Sequence, residues 1–421
     1  MKSDNITNNS LLVAMDMGSH SFRAMAAEMT DTGALRVLGV EESSQKSCVT
    51  RGVVDNTTDA GFMLNNVLRL LGNRIRVNSL HSTFVCIGGR TVKIYPVSST
   101  RDQVRKREVS QSLLDEMEAE CRNKIEDKYP GVKVLDVIPY YYTLDGVEQD
   151  YPPLPDQRAM MVESHFMAFV GRKEEAERVD SSFKRSTISV EHAYVRPDAL
   201  MNALASDDDM ERGCAVLDLG AQTTTLTVFK GTQYLHNQVV ALGSHDITEA
   251  IAGLGLQMHY AEHLKCTYGM ASPDQVISNR RYMLKGIDGE AVAVTTRELA
   301  QIIREQIDQI LKPLMETLNK DAGRLKVLYI TGGGSMLQGI DSYIQRLTSV
   351  PVSYGSHACW LTADTPDECC MPKYASLVGT LLLGAAYREK HPQVKSYEKN
   401  KRIIETLKDT TLKLFSDQDD F

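Results

Sequence analysis

"LDLGAQTTTLTVF", residues 217–229, joins two strand-like runs through a turn that carries an acid, Asp218, and a glycine, Gly220. Leu, Val, Thr and Phe dominate both sides, which is strand composition. A third run, ending near Val240, completes a three-strand meander. The chain holds a counterpart in "LLVAMDMGSHSFRAMAAEM", residues 11–29, followed by "ALRVLGVEES". Asp218-Leu219-Gly220-Ala221 stands 202 residues after Asp16-Met17-Gly18-Ser19. Solenoid repeats are several times shorter, so this distance points to two duplicated lobes. Taken singly, each turn is most simply a hairpin whose Asp satisfies local amides. Facing each other, two such turns make anion-binding concavities: glycine lets the main chain approach phosphate oxygens, and successive amides point at them. An Asp opposite that negative charge then implies a hydrated Mg²⁺ between carboxylates and phosphates.

The bounds agree with this reading. At 421 residues and 46.9 kDa the chain exceeds one ordinary core, which predicts two lobes and up to four subdomains. A formal charge of -8 and a pI near 5.8 argue against a nucleic-acid groove, leaving small ligands or proteins as partners. The eight cysteines show no Cys-x-x-Cys spacing; together with the lack of an amino-terminal signal they predict reduced thiols in a cytoplasmic protein. No apolar run reaches the roughly 18–20 residues that span a bilayer, and "ASLVGTLLLGAAY", 375–387, reads as a buried helix.

Further elements surround the two turns. "KVLYITGGGSMLQGIDSYIQRL", 326–347, reads as a strand, a turn at Gly332-Gly333-Gly334 and a helix, an arrangement that lets a backbone come close to a nucleotide. In "YAEHLKCTYG", Glu262 and Lys265 share one helix face; the simplest reading is a solvated ion pair, and a ribose contact is the alternative. Residues 86–168 form a compositional block of their own: a basic stretch "RDQVRKRE", a helix capped by Ser110, a strand pair around "VKVLDVIPYYYTLDG" and the turn "YPPLPD". "DDDMERG", 207–213, reads as a charged hinge.

Asp-x-Gly-Ser, Asp-x-Gly-x-x-Thr and Thr-Gly-Gly-Gly in this order resemble the actin-like nucleotide-binding superfamily, which includes actin, Hsp-type chaperone ATPases and sugar kinases. Within it the chain is most similar to the FtsA family of bacterial cell division, through "TRGVVDNTTDA", "VLDVIPYYYTLDG", "AEHLKCTYG" and the place of the insertion. The resemblance spans residues 10 to 390, approximately. It implies an α/β, actin-like (ribonuclease H-like) duplicated two-lobe fold with an inserted α+β subdomain in the first lobe. The first lobe takes 1–85 and 169–205, the insertion 86–168, the second lobe 206–242 and 323–390 with an upper part at 243–322, and a tail 391–421. It also implies ATP with Mg²⁺ in the cleft, self-association, an inner-membrane surface, the tail of the tubulin-like FtsZ, and further division proteins at the insertion. Carried over by position, Asp16, Gly18, Ser19 and His20 match the first phosphate motif, and Asp218, Gly220, Ala221, Gln222 and Thr223 the second. Glu262 and Lys265 match the ribose-side helix, and Gly332, Gly333, Gly334 and Ser335 the nucleoside turn. Asp16 and Asp218 would hold water around Mg²⁺ and are not nucleophiles.

The chain departs from the family at three places. Gly220-Ala221-Gln222 replaces a glycine run and Thr225 replaces an acid, so a binder with slow or absent hydrolysis is expected. Arg304-Glu305-Gln306 stands where the family has Glu-Pro-Arg, and Arg297 and Arg304 are the candidate contacts to the partner tail. In the tail, Ile403, Ile404, Leu407, Leu414 and Phe415 fall near one side of a helix suited to a membrane surface. Five basic residues among 398–421 are offset by six acidic ones, which removes most electrostatic attraction to an anionic leaflet. Two alternatives remain: a PilM-type scaffold of pilus or secretion assembly, and a small-molecule kinase, for which no general base is assignable.

Overall fold

The computed structural model describes residues 11–44, 48–149 and 157–391. Its strand Leu11–Met17 is buried on both faces, which explains its unbroken apolar run. The period of two divides that strand between two cores. Leu11, Val13 and Met15 pack with Leu64, Val67 and Leu71 of helix Thr57–Ile75, whereas Leu12 and Ala14 pack with Leu377, Val378 and Leu381 of helix Ala375–Lys390. Asp16 continues the second row, so register alone aims it at the helix Ala375–Lys390.

The five-stranded sheet around this strand runs Ser189–Val195, Ser82–Ile87, Leu11–Met17, Ser21–Met29, Leu35–Ser44. The last three form the antiparallel meander and the first two add in parallel. A second sheet repeats this topology: Val352–Tyr354, Val327–Thr331, Cys214–Leu219, Thr224–Lys230, Gln233–Val240. Here Ala215, Leu217 and Leu219 face a core built on helix Thr296–Asp321, and Cys214 and Val216 face Leu200 and Met201 of helix Arg196–Leu204. Asp218 shares the parity of Cys214 and Val216. Both acids are thereby turned toward the middle of the molecule.

Two helices cross between the lobes, Arg196–Leu204 and Ala375–Lys390. At Gly379 an added Cβ would run into the Ala199 carbonyl oxygen, so the crossing needs glycine although glycine costs about 1 kcal/mol in a helix. The inserted block has its own four-stranded sheet, Lys93–Glu108, Arg158–Arg172, Val132–Leu144 and Val147–Gln149. Helix Gln111–Lys128 covers it with Leu114, Met117, Cys121 and Ile125, one face at helical spacing, and Ser110 caps its start by accepting from the Leu113 amide. The second lobe carries helices Ser244–Ala252 and Met258–Tyr268 and the hairpin Arg281–Lys285/Ala291–Thr295.

The stretch read as a hinge is ordered instead. Asp207–Arg212 is a short helix with a Ser206/Asp209 capping box. Asp209 also accepts from Lys326 at 2.7 Å and Tyr329 at 2.9 Å, which ties the segment to strand Val327–Thr331. None of the eight cysteines is joined in a disulfide. Among the described residues no helix is long and apolar enough to cross a membrane.

Candidate functional site

A cleft of about 680 Å³ opens between the lobes, and both acidic turns line it. The turns close alike: the Gly18 amide donates to the Ser21 carbonyl at 3.0 Å, and the Gly220 amide to the Thr223 carbonyl at 3.0 Å. A Cβ on Gly18 would stand 2.9 Å from Ser21 O, and one on Gly220 2.6 Å from Thr223 O. The turn's own backbone therefore requires these glycines, apart from any ligand. Gly18, Ser19, His20, Asp218, Gly220, Ala221, Gln222, Thr223, Glu262, Lys265, Gly332, Gly333 and Gly334 all line the cleft; Asp16 and Ser335 do not.

The third motif differs in detail from the strand–turn–helix reading. After strand Val327–Thr331, Gly332 adopts φ 84° and Gly333–Met336 forms a 3₁₀ turn, with a helix only from Ile340. A Cβ on Gly332 would meet the Asp218 carboxylate and stand 2.6 Å from Leu219 O, so Gly332 seats this turn against the second acidic turn. Gly333 has nothing within 4 Å and leaves its face open to the cleft. Ser335 is fully buried; its hydroxyl donates inward to Gly332 O at 2.7 Å and closes the turn, so it is no ligand contact.

Beneath the two acidic turns lies a side chain that motif reading passed over. Arg196, the first residue of the crossing helix, donates Nη2 to Asp16 Oδ1 and holds Nη1 3.8 Å from Asp218 Oδ2. Asp16 is 1% exposed and takes its other partner from Ser376 Oγ at 3.2 Å. Burial works against the Arg196 charge, but Asp16 and Asp218 outweigh it and hold the guanidinium protonated. Burial pushes the Asp218 carboxyl up against the pull of Arg196, with Asp16 adding to the rise. A Mg²⁺ held through water by Asp16 and Asp218 does not fit these side chains. Asp16 does not reach the cleft, and a guanidinium already occupies the place between the two carboxylates. Among the described residues no group of three or more His, Cys, Asp or Glu is placed to hold a metal.

Two further charged sets rim the cleft. Arg23 and Lys373 flank Glu42, Lys373 Nζ lying 2.6 Å from Oε2, and Arg23 also donates to the Lys373 carbonyl. Burial acts to raise Glu42, but hydrogen bonds from Lys373 and Ser21 and the Arg23 charge bring it down to about 2. Lys265 is buried, donating to Ser244 O and Thr248 Oγ1 at 2.8 Å each and pairing with Glu262 at 2.8 Å. That set braces the helices Ser244–Ala252 and Met258–Tyr268, and Glu262 remains the more exposed member. Burial again opposes, and Lys265 with Thr248 holds Glu262 below the usual carboxylate range. Across the mouth, the hairpin tip Arg51-Gly52 touches both lobes: Gly52 N donates to Ser19 Oγ at 2.9 Å and Arg51 N to Gln222 Oε1 at 2.8 Å. The Arg51 guanidinium adds Ala241 O and, at 3.6 Å, Asp246. The positive φ of 50° at Arg51 and 73° at Gly52 makes this tip possible.

Sequence reasoning missed Arg23, Glu42, Arg51, Arg196, Lys373 and Ser376. Strand alternation places Arg23 opposite Asp16 in the first hairpin, a signal available from the sequence; the others come from distant segments. Arg297 and Arg304 lie outside the cleft, in the first and third turns of helix Thr296–Asp321. Arg304 Nε is buried without a hydrogen-bond partner among the described residues. Ile403, Ile404, Leu407, Leu414 and Phe415 fall outside the described residues.

Comparison with known proteins agrees with this architecture. A family model described as cell division protein FtsA matches residues 215–379, and one described as type IV pilus assembly protein PilM matches residues 15–276, more than half of the chain. Cell division protein FtsA of Enterococcus faecalis is 24% identical over 351 residues, which cover 80% of this chain and 76% of that one. FtsA of Neisseria meningitidis serogroup B is 23% identical over 389 residues, with 87% and 88% covered. A PilM-PilN type IV pilus biogenesis complex shares the fold at a TM-score of 0.64 and 19% identity, over 89% of this chain and 98% of that one. MreB5 of Spiroplasma citri bound to AMPPNP does so at 0.54 and 11% identity, over 91% and 98%. Two lobes of identical strand order, closed on one cleft by paired acidic turns, place the chain in the actin-like ATPase superfamily, among its FtsA-type and PilM-type members.

Proposed function

We propose that the chain is an ATP-binding, FtsA-like protein of bacterial cell division that links the FtsZ ring to the cytoplasmic face of the membrane. The observation that carries nucleotide binding is the convergence of three glycine turns, Gly18, Gly220 and Gly332–Gly334, on a single cleft with an open backbone face at Gly333. AMPPNP and ADP in the MreB5 structures support the same assignment. Gly18, Ser19, Gly220, Ala221 and Thr223 then face the phosphates, and Glu262 the ribose. Each carboxylate lining the cleft has a cationic partner: Asp218 with Arg196, Glu42 with Arg23 and Lys373, Glu262 with Lys265. Glu42 and Glu262 are held below the ordinary carboxylate range, which makes them poor general bases, and Asp218, raised by burial, is engaged by Arg196. Hydrolysis is accordingly slow or absent, and the bound nucleotide serves to hold the lobes together.

Division rather than another assembly is supported by the reach of the FtsA similarity, which extends over four-fifths of the chain. The tail residues Ile403, Ile404, Leu407, Leu414 and Phe415 are proposed to lie on the membrane, Arg297 and Arg304 to meet the FtsZ tail, and the insertion to meet other division proteins. A PilM-like scaffold is the second reading, favoured by the span of that family's match. Calorimetric titration with the C-terminal peptide of FtsZ from the same organism, with and without ATP, tests the proposal. Binding supports the division reading; its absence with folded, monodisperse protein favours the scaffold. Vesicle sedimentation of the full chain against one ending at residue 396 tests the membrane claim, and equal sedimentation refutes it.

A further inference from the structure

We infer that Arg196 is a built-in counter-cation that takes the place of a divalent metal, so that the cleft binds a nucleoside polyphosphate without Mg²⁺. This rests on the nucleotide reading above and adds how the phosphate charge is met. A polyphosphate needs cations at the floor of its site, and a hydrated metal bridging carboxylates and phosphates is one way to supply them. Here the bridge is a side chain. One guanidinium spans Asp16 and Asp218, from the two lobes' corresponding turns, and lines the cleft with its side chain 20% exposed.

Its position is held from three directions. Asp16 and Asp218 fix the two terminal nitrogens. The Gly88 backbone lies against the other side, where a Cβ would stand 2.8 Å from Arg196 Nε. Arg196 is also the first residue of the crossing helix, so its main chain is anchored by the joint between lobes. Moving it aside to admit a metal would strand Asp16, which is 1% exposed. A guanidinium carries five donors in a fixed plane suited to phosphate, and its charge persists at every physiological pH.

The charge balance points the same way. Among the described residues four cations line the cleft, Arg23, Arg196, Lys265 and Lys373, against three carboxylates, Glu42, Asp218 and Glu262. Among the lining residues the cations exceed the carboxylates by one, and counting Asp16, which pairs with Arg196, makes them equal. Asp16, the fourth acid, lies behind Arg196 and is screened by it from the ligand.

The test is calorimetric titration of the full chain with ATP in EDTA and again in excess Mg²⁺. The expected dissociation constants agree within about threefold, less than 1 kcal/mol. Binding more than about tenfold tighter with Mg²⁺ overturns the inference while leaving the nucleotide reading intact. No binding in either buffer overturns the nucleotide reading itself. Arg196→Gln is expected to lose at least about tenfold in EDTA, whereas Arg196→Lys, which keeps the charge, retains metal-independent binding. Equal affinities for Arg196→Gln and wild type in EDTA would also overturn the inference. The wild-type comparison needs no variant to fold.

Discussion

Arg196→Met removes the cation between Asp16 and Asp218 and keeps a long side chain over Gly88. Among the described residues Asp16 then retains only the Ser376 hydroxyl at 3.2 Å, as a carboxylate 1% exposed. Breaking a buried pair from one side costs about 3–5 kcal/mol, because the remaining charge stays desolvated. The Asp218 contact, at 3.8 Å, is the lesser loss, since that acid borders the cleft and water can reach it. For a lobe of roughly 150–250 residues each kcal/mol moves the melting midpoint by about 2–4 °C, so a fall of about 6–20 °C is expected. Unfolding of a two-lobed chain need not be two-state, so hydrogen exchange at strand Leu11–Met17 should be read alongside the melt. Asp16→Asn combined with Arg196→Met removes both charges, retains an acceptor for Ser376 and should recover most of the loss. A single variant melting within about 2 °C of wild type would refute the pairing argument, as would a double variant no better than the single one.

Three further perturbations separate backbone from ligand effects. Gly332→Ala must fit a Cβ at φ 84° against Leu219 O and the Asp218 carboxylate, and should destabilise by about 2 kcal/mol or more, whereas Gly333→Ala, with open space, should melt like wild type yet weaken ATP binding. Equal stability of the two would contradict the turn geometry; unchanged affinity in Gly333→Ala would place the ligand elsewhere. Gly379→Ala should force the two crossing helices apart and cost about 3 kcal/mol, seen as a lower melting midpoint with loss of nucleotide affinity, and a fully stable variant would refute the crossing. Asp198, which accepts from Tyr234 Oη at 2.6 Å, is raised to about 7 by burial and by Asp136, against the pull of Tyr234 and Asn202. The folded chain then binds a proton that the unfolded chain releases near pH 4, so this group's stabilisation is present below pH 4 and is lost as pH rises to about 7. Asp198→Asn should be more stable than wild type at pH 8, on the order of 4 kcal/mol, with the gap closing toward pH 4; a gap that is flat with pH would refute it.

Much of this architecture is legible in one dimension because it is local. The two meanders follow from β-type runs around Asp16 and Asp218, and each turn's glycine is demanded by a carbonyl only three residues on. Helix Gln111–Lys128 announces itself through Ser110 and the spacing of Leu114, Met117, Cys121 and Ile125. Even the side to which Asp16 and Asp218 point is implied by parity along their strands. The partner waiting there is not. Arg196 is distant in sequence from Asp16, and Ser376, Lys373 and Arg51 reach the cleft from other segments. Read alone, two facing aspartates call for a metal, because no sequence pattern reveals a cation brought in by a helix crossing. Composition and periodicity determined the duplicated fold and the place of the cleft. Only the packing of helix Arg196–Leu204 against Ala375–Lys390 decided what balances charge at its floor, since electrostatic pairing follows distance in space and not separation along the chain.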